Sequence, residues 1–400
     1  MASFITAYRK VNYRLTTAVL WAALVATLYY AVTMKQSVSC QNEQPKKLTQ
    51  ATFEITTNAT TTATTTTTRQ ATTTATTTTT PNTSSPTRQQ LLLVTYGRTG
   101  SSFTSAIISH DPGVFHIFEP LHTVINSVFD TNIPEQVKQK AFRIMDAFLQ
   151  CDFRGFEPSL FEDYLFASSS STRSLYNCIK NKTLVGTAHV ACFLSTWDAC
   201  RSHNLTLIKT IRFRPEWAEY FLTRYPNLKI LYLVRDFRAV VYSQARNFKT
   251  FTRRGQLAEN ANIVCQQAKQ DFQIFYQLNA KFPGRVKGIR YEHGCLDPVD
   301  YARTIYKFVG LNFNNNTKQY IHQITTSNLT TGIADPYSVV RHDAIQAMNN
   351  WRRSADFKTV KRIDKLCKDV YSLFGYRAVW TEQDLFSQQL LVKPISNRLF

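Results

Sequence analysis

The chain reads as an α/β protein in which a P-loop-like parallel sheet is flanked by helices, with an anion-binding loop after its first strand. Three observations predict this. Leu91 to Val94, LLLV, is an apolar run of the length expected of a strand buried on both faces. Gly97 to Ser102, GRTGSS, follows directly, and Phe103, Ala106, Ile107 and His110 then fall at helical spacing. The same rhythm recurs at Thr206 to Thr210, TLIKT, and at Lys229 to Val234, KILYLV, each followed by a helical pattern. In the first unit the glycines let the backbone approach an anion closely, and several N–H groups share one focus with the positive end of a helix. Arg98 adds a fork of donors suited to phosphate or sulfate oxygens. The Walker pattern G-x-x-x-x-G-K-[ST] is absent, which argues against a standard NTPase site.

Taken in order, Val114 to Phe118 is a second strand, ending at Glu119-Pro120-Leu121-His122. Pro134 opens a helix to about Gln150. Residues 151–204 read as irregular, with Ser168 to Ser171 and two glycosylation sequons marking exposed loops. After the TLIKT strand, Pro215 to Tyr225 has Pro at the first helical position, acids in the first turn, and Trp217, Phe221 and Leu222 on one face. The KILYLV strand runs straight into Arg235-Asp236-Phe237-Arg238, and a helix covers Ala239 to Phe248. A long helix from Gln256 to Phe282 stops at Pro283-Gly284, Val286 to Tyr291 is a strand, and Pro298 starts a helix to about Val309. Asn314 to Thr317 reads as a polar turn, and helical periodicity holds from Trp351 to a C-cap at Gly375. Parallel sheets bind ligands beyond the carboxyl ends of their strands, so Gly97 to Ser102 and Arg235 to Arg238 should share one rim.

Leu15 to Met34 carries no charged side chain, and twenty residues at about 1.5 Å each span about 30 Å, the thickness of a bilayer core. Arg9, Lys10 and Arg14 precede the run, which places the N-terminus in the cytoplasm. The run is long for a cleaved signal peptide. Residues 35–88 are Thr-rich and low in large apolar side chains, as in an O-glycosylated stalk. The expected organisation is therefore a cytoplasmic tail (1–14), a transmembrane signal anchor (15–34), a stem (35–88) and a lumenal domain (89–400). Sequons at Asn58, Asn82, Asn181, Asn204, Asn315 and Asn328 all follow the anchor. So do all eight cysteines, which show no zinc-type spacing and are read as disulfide-forming, with Cys192 and Cys200 as a local pair. Seven lie in the lumenal domain, so one is left over or pairs with Cys40, which could instead link a homodimer. A net charge of +20 calls for anionic partners, and a glycosylated lumenal domain does not meet nucleic acid.

Several separated pieces, in order, resemble the Golgi carbohydrate 6-O-sulfotransferases acting on galactose, N-acetylgalactosamine or N-acetylglucosamine. GRTGSSF is similar to that family's loop for the 5′-phosphosulfate of the donor, 3′-phosphoadenylyl sulfate (PAPS). VFHIFEPLHTV resembles its strand and E-P-L-H turn, and YLVRDFRAVVYSQAR its motif for the 3′-phosphate. RYEHGCLDP and the closing WR to FGY pattern complete a resemblance over about residues 90–378. Phe237 departs from it, standing where the family usually has Pro, and 151–204 match poorly.

The resemblance implies a sulfotransferase fold and a PAPS-dependent enzyme acting on a glycan of a glycoprotein or proteoglycan at the Golgi membrane, without a metal. It assigns Gly97, Arg98, Thr99, Gly100, Ser101, Ser102 and Phe103 to the 5′-phosphosulfate. It assigns the stretch Arg235, Asp236, Phe237, Arg238, Ala239, Val240, Val241, Tyr242 and Ser243 to the 3′-phosphate, gripped by Arg235 and Ser243. Sulfuryl transfer needs a base for the acceptor hydroxyl and cations for the leaving oxygen. Glu119 is the expected base and His122 the runner-up; Lys209, with Arg98, is the expected cation. Arg341 and Arg352 are further candidates for donor or acceptor contacts. The alternatives are a lumenal sulfotransferase with another acceptor such as tyrosine, a P-loop kinase, or a mucin-stalked adhesion receptor.

Overall fold

The computed structural model describes residues 88–125, 132–153, 155–181, 188–247, 256–326, 339–341, 343–387 and 391–400. The expected tail, anchor and stem, with Cys40, lie outside the described residues apart from Arg88. Among the described residues no helix is long and apolar enough to cross a membrane.

Alternation along β1 (Gln89–Thr95) explains its apolar run. Leu91 and Leu93 enter one core, Leu92 and Val94 the other, and all four are buried. Around it stand β2 (Val114–Phe118), β3 (Leu205–Thr210), β4 (Leu228–Val234) and β5 (Val286–Arg290), in the spatial order β2-β3-β1-β4-β5 and all parallel. β1 is flanked by β3 and β4, with Leu92 opposite both Ile208 and Ile230. The loops after β1 and β4 therefore open side by side, as expected from the sequence.

One face of the sheet is covered by α1 (Ser101–Ser109), α9 (Pro298–Val309) and α10 (Asn315–Thr325). The other receives α2 (Glu135–Gln150), α5 (Ala218–Arg224), α6 (Phe237–Asn247) and α7 (Leu257–Lys281). After β5 come α8 (Tyr291–Leu296), α9 (Pro298–Val309), α10 (Asn315–Thr325), α11 (Ala344–Asn349), α12 (Phe357–Phe374) and α13 (Glu382–Phe386). Gly375 at φ 67° caps α12 in the left-handed conformation that glycine adopts without penalty.

The structure corrects four expectations. Residues 170–180 and 188–202 are helices, α3 (Ser170–Lys180) and α4 (Ala188–Ser202), where an irregular region was expected. Cys192 does not pair with Cys200: both lie on α4, where eight residues separate them by about 12 Å along the axis, beyond the reach of a disulfide. The bonds are Cys178–Cys192, joining α3 to α4, and Cys151–Cys200, tying α4 to the end of α2. Cys265–Cys367 joins α7 to α12, and Cys295 is a buried free thiol. Asn314 is an N-cap rather than part of a turn, its Oδ1 accepting the Thr317 N–H at 3.0 Å, so that α10 begins there. Trp351 stands before α12, in a 3-10 turn (Asn350–Ser354), where it joins a small core with Ala239, Val379 and Leu385. The sequon residues Asn181, Asn204 and Asn315 are exposed, as glycan attachment requires.

Cys265–Cys367 closes 102 residues of chain, so its loss should cost about 2–4 kcal/mol. A Cys265→Ala/Cys367→Ala variant is expected to melt several degrees below the wild type in a calorimetric scan.

Candidate active site

At the carboxyl end of β1 the chain turns through Gly97 and Arg98 into α1. Arg98 takes φ 74°, a left-handed conformation unusual outside glycine, and Gly100 takes φ 90°. Interior polar contacts hold the turn. Thr99 is buried and donates to the Tyr96 carbonyl at 2.8 Å, while Gln244 Nε2 of α6 donates to the Gly97 carbonyl at 3.1 Å. Ser101 and Phe103 are also buried, and Ser102 is half-buried at the start of α1.

The loop after β4 meets this turn directly. Arg235 Nη1 donates to the Arg98 carbonyl at 3.1 Å, and Arg98 Nε donates to Ser243 Oγ at 3.2 Å. The residues between Arg235 and Ser243 mostly turn inward. Arg238 is fully buried and paired with Asp236 at 2.8 Å and Asp364 at 3.0 Å. Phe237 packs against Phe374 and Tyr376, with ring centroids 5.5 and 5.8 Å away. Ala239, Val240 and Val241 are core residues, and Tyr242 lies 6.0 Å from the Trp351 ring. Of this stretch, Arg235 and Ser243 are the two that reach the β1 loop; the others anchor the backbone carrying them.

Beyond β1 on the other side, the ends of β3 and β2 bring Lys209 to Glu119. Lys209 Nζ donates to Glu119 Oε1 at 2.7 Å and lies 4.2 Å from the Phe118 ring centroid. Arg212 Nη1 donates to Oε2 at 2.9 Å, and the Ile211 N–H to Oε1 at 3.0 Å. Glu119 is buried and also left-handed, at φ 53°. Burial pulls the Lys209 ammonium below its usual pKa, and the positive charges of Arg212 and Arg98 pull the same way, against the Glu119 carboxylate. His122 stands one turn on, its Nδ1 paired with Asp163. Arg341 interacts electrostatically with Tyr291 and Cys295, near the Arg235 loop. Arg352 is held in the interior, donating to the Ser387 carbonyl at 2.8 Å.

A left-handed turn and a helix start after β1 thus lie beside Arg235 on one side and beside Lys209, Arg212 and the buried Glu119 on the other, an arrangement of donors whose chemistry suits a multiply charged anion. The model of the sulfotransferase family matches residues 91–315, which hold both loops, Glu119 and Lys209. The chain belongs to the sulfotransferase family. Curated relatives include carbohydrate sulfotransferase 6 of Homo sapiens, 24% identical over 328 residues (74% of this chain, 83% of the relative). Carbohydrate sulfotransferase 5 of Mus musculus is 26% identical over 326 residues (74% and 82%). Among solved structures, a sulfotransferase domain from the curacin biosynthetic pathway aligns at TM-score 0.45 and 14% identity, covering 71% of this chain and 97% of that one.

The sequence of this sulfotransferase gave no motif signal for Arg212 and Asp163, which pair with Glu119 and His122, and no separate role to Tyr291 and Glu292 within RYEHGCLDP. Arg212, three residues beyond Lys209, is the one that a strand-end rule would have found from spacing.

Behind the β1 loop, Tyr96 donates to Asp271 Oδ2 at 2.5 Å beside Tyr232, in a pocket also lined by Gly97, Arg214 and Gln244. Burial pushes the Asp271 carboxyl up to about 7, with the Tyr96 hydrogen bond opposing. The folded state thus holds a proton that the unfolded chain releases near pH 4, and raising the pH from about 4 to 7 costs stability. Asp271→Asn removes this dependence. Its melting temperature relative to wild type is expected to climb between about pH 4.5 and 7, then level off. A constant difference across that range would disprove the assignment.

Proposed function

We propose that this sulfotransferase moves the sulfuryl group of PAPS to the 6-hydroxyl of galactose, N-acetylglucosamine or N-acetylgalactosamine on a glycoprotein or proteoglycan glycan, in the Golgi lumen. The carbohydrate acceptor rests on what the curated relatives are called, and the PAPS donor on the sulfotransferase family to which the chain belongs. The observation that carries the donor reading is the convergence of Arg235, Arg98 and Ser243 from two neighbouring strands. A donor with phosphates at both ends of a ribose needs two anion loops at a fixed spacing. The residues fit such a group: Arg235 Nε is buried without a hydrogen-bond partner among the described residues, and the loop before α1 offers backbone N–H groups at a helix start.

Gly97 to Phe103 would hold the 5′-phosphosulfate, with Arg98 neutralising it, and Arg235 with Ser243 the 3′-phosphate. The bound donor supplies an activated sulfuryl group on a phosphate leaving group. Glu119 takes the proton of the acceptor hydroxyl. Protonation of Oε1 loosens its pairing with Lys209, whose ammonium then faces the charge developing on the leaving oxygen. Arg212 keeps Oε2 in place meanwhile. His122 is the second reading for the base, favoured by its pairing with Asp163, which orients a histidine as base–acid dyads require. Membrane anchorage through residues 15–34 and a Cys40-linked homodimer belong to this proposal.

The test is transfer from radiosulfur-labelled donor to a glycan panel, with tyrosine peptides included, alongside binding of 3′,5′-ADP. Arg98→Ala and Arg235→Ala are expected to abolish nucleotide binding. Glu119→Gln should bind normally and lose turnover by about 10²–10⁴-fold. Full turnover in Glu119→Gln with loss in His122→Ala would transfer the base role to His122. No transfer to any sugar together with no nucleotide binding would defeat the proposal.

A further inference from the structure

β5 is the edge strand beside β4, and its carboxyl end carries Tyr291 and Glu292, to which no role has yet been given. We propose that these two residues are positioning residues that set the spacing between the two donor loops; this rests on the donor reading above. Tyr291 touches both loops at once. Its ring occupies the space a side chain at Gly100 would need, since a Cβ there would lie 2.2 Å from Tyr291 Cδ2. Gly100 is thus required by its neighbour as well as by its φ. The same ring meets Phe103 edge-on, with centroids 6.2 Å apart, and carries the Arg235 guanidinium 4.6 Å from its centroid. The ring therefore lies between the α1 start, which faces one phosphate, and the arginine that faces the other.

Glu292 fixes the second loop from behind. Its Oε1 accepts the Asp236 N–H at 2.9 Å, the peptide immediately after Arg235, and its Oε2 accepts the Tyr376 hydroxyl at 3.1 Å. Glu292 is buried and its charge also acts on Arg235. A buried carboxylate that accepts a backbone N–H and stands behind an arginine fixes where that arginine points. Together the two residues determine where the Arg235 guanidinium stands relative to Gly100. That separation is what a nucleotide with phosphates on its 3′ and 5′ carbons would measure.

A residue that only packs the core would, when altered, lower stability and disturb both substrates alike. A positioning residue affects the donor selectively. The experiment measures the 3′,5′-ADP dissociation constant by calorimetry, the KM values for donor and acceptor, and the melting temperature. Variants are Tyr291→Leu, Tyr291→Phe, Glu292→Ala and Glu292→Gln. Tyr291→Leu and Glu292→Ala are expected to weaken 3′,5′-ADP about tenfold and raise donor KM in step, with acceptor KM within about twofold of wild type. Tyr291→Phe, which keeps the ring face, and Glu292→Gln, which keeps an oxygen for the Asp236 N–H, should both stay within about threefold of wild type. Should Glu292→Ala not fold, Tyr291→Leu and the two conservative variants decide the matter. Unchanged nucleotide affinity in folded Tyr291→Leu, or donor and acceptor KM rising together, would overturn the inference. Failure of the wild type to bind 3′,5′-ADP would overturn the donor reading instead.

Discussion

Arg98 is both a link in the backbone and a charged group, and the site depends on its doing both. Its carbonyl accepts from Arg235 and its own Nε donates to Ser243, so one residue joins the loop after β1 to the loop and helix after β4. The left-handed turn at φ 74° is what presents the carbonyl and the side chain to the same neighbour. The turn in turn depends on β1, buried on both faces and flanked by β3 and β4, which gives the loop a fixed base. Strands hidden on both faces leave their carboxyl ends as the place where irregular backbone can meet a ligand.

In spatial order across the sheet, the carboxyl end of each strand carries a residue of the candidate site or of the loops beside it. Glu119 follows β2, Lys209 is the penultimate residue of β3, the Gly97–Arg98 turn follows β1, Arg235 follows β4, and Tyr291 and Glu292 follow β5. Charges are arranged along this line. Lys209 and Arg212 both pair with the Glu119 carboxylate, and the repulsion that Lys209 feels from Arg212 and Arg98 is part of what lowers its pKa. Concentrated positive charge of this kind is relieved by a bound anion.

The elements that carry this line were legible from the sequence because their signals are local. LLLV, VFHIF, TLIKT and KILYLV are apolar runs of strand length, and glycine, proline and capping residues punctuate the chain between them. Residues 151–204 were not: Val190 and Leu194 of α4 are exposed, so its apolar residues do not mark a single buried face. Cys178–Cys192 and Cys151–Cys200 join residues on different elements, and sequence spacing favoured a pair that one straight helix holds apart. Trp351 followed the periodicity of the helix after it yet lies outside it, because its contacts are with distant residues.

The sequence by itself determined the strand–turn–helix at Leu91 to Phe103, the charges at Arg98 and Arg235, and the placement of both at strand ends, since hydrophobic period and turn chemistry are properties of neighbouring residues. Only the tertiary structure decided that Arg98 and Ser243 touch, that Glu119 is held by Arg212 as well as Lys209, and that Arg238 turns inward to Asp364. It alone placed Tyr291 against Gly100. Those contacts join residues from 90 to 191 positions apart, brought together by the strand order β2-β3-β1-β4-β5.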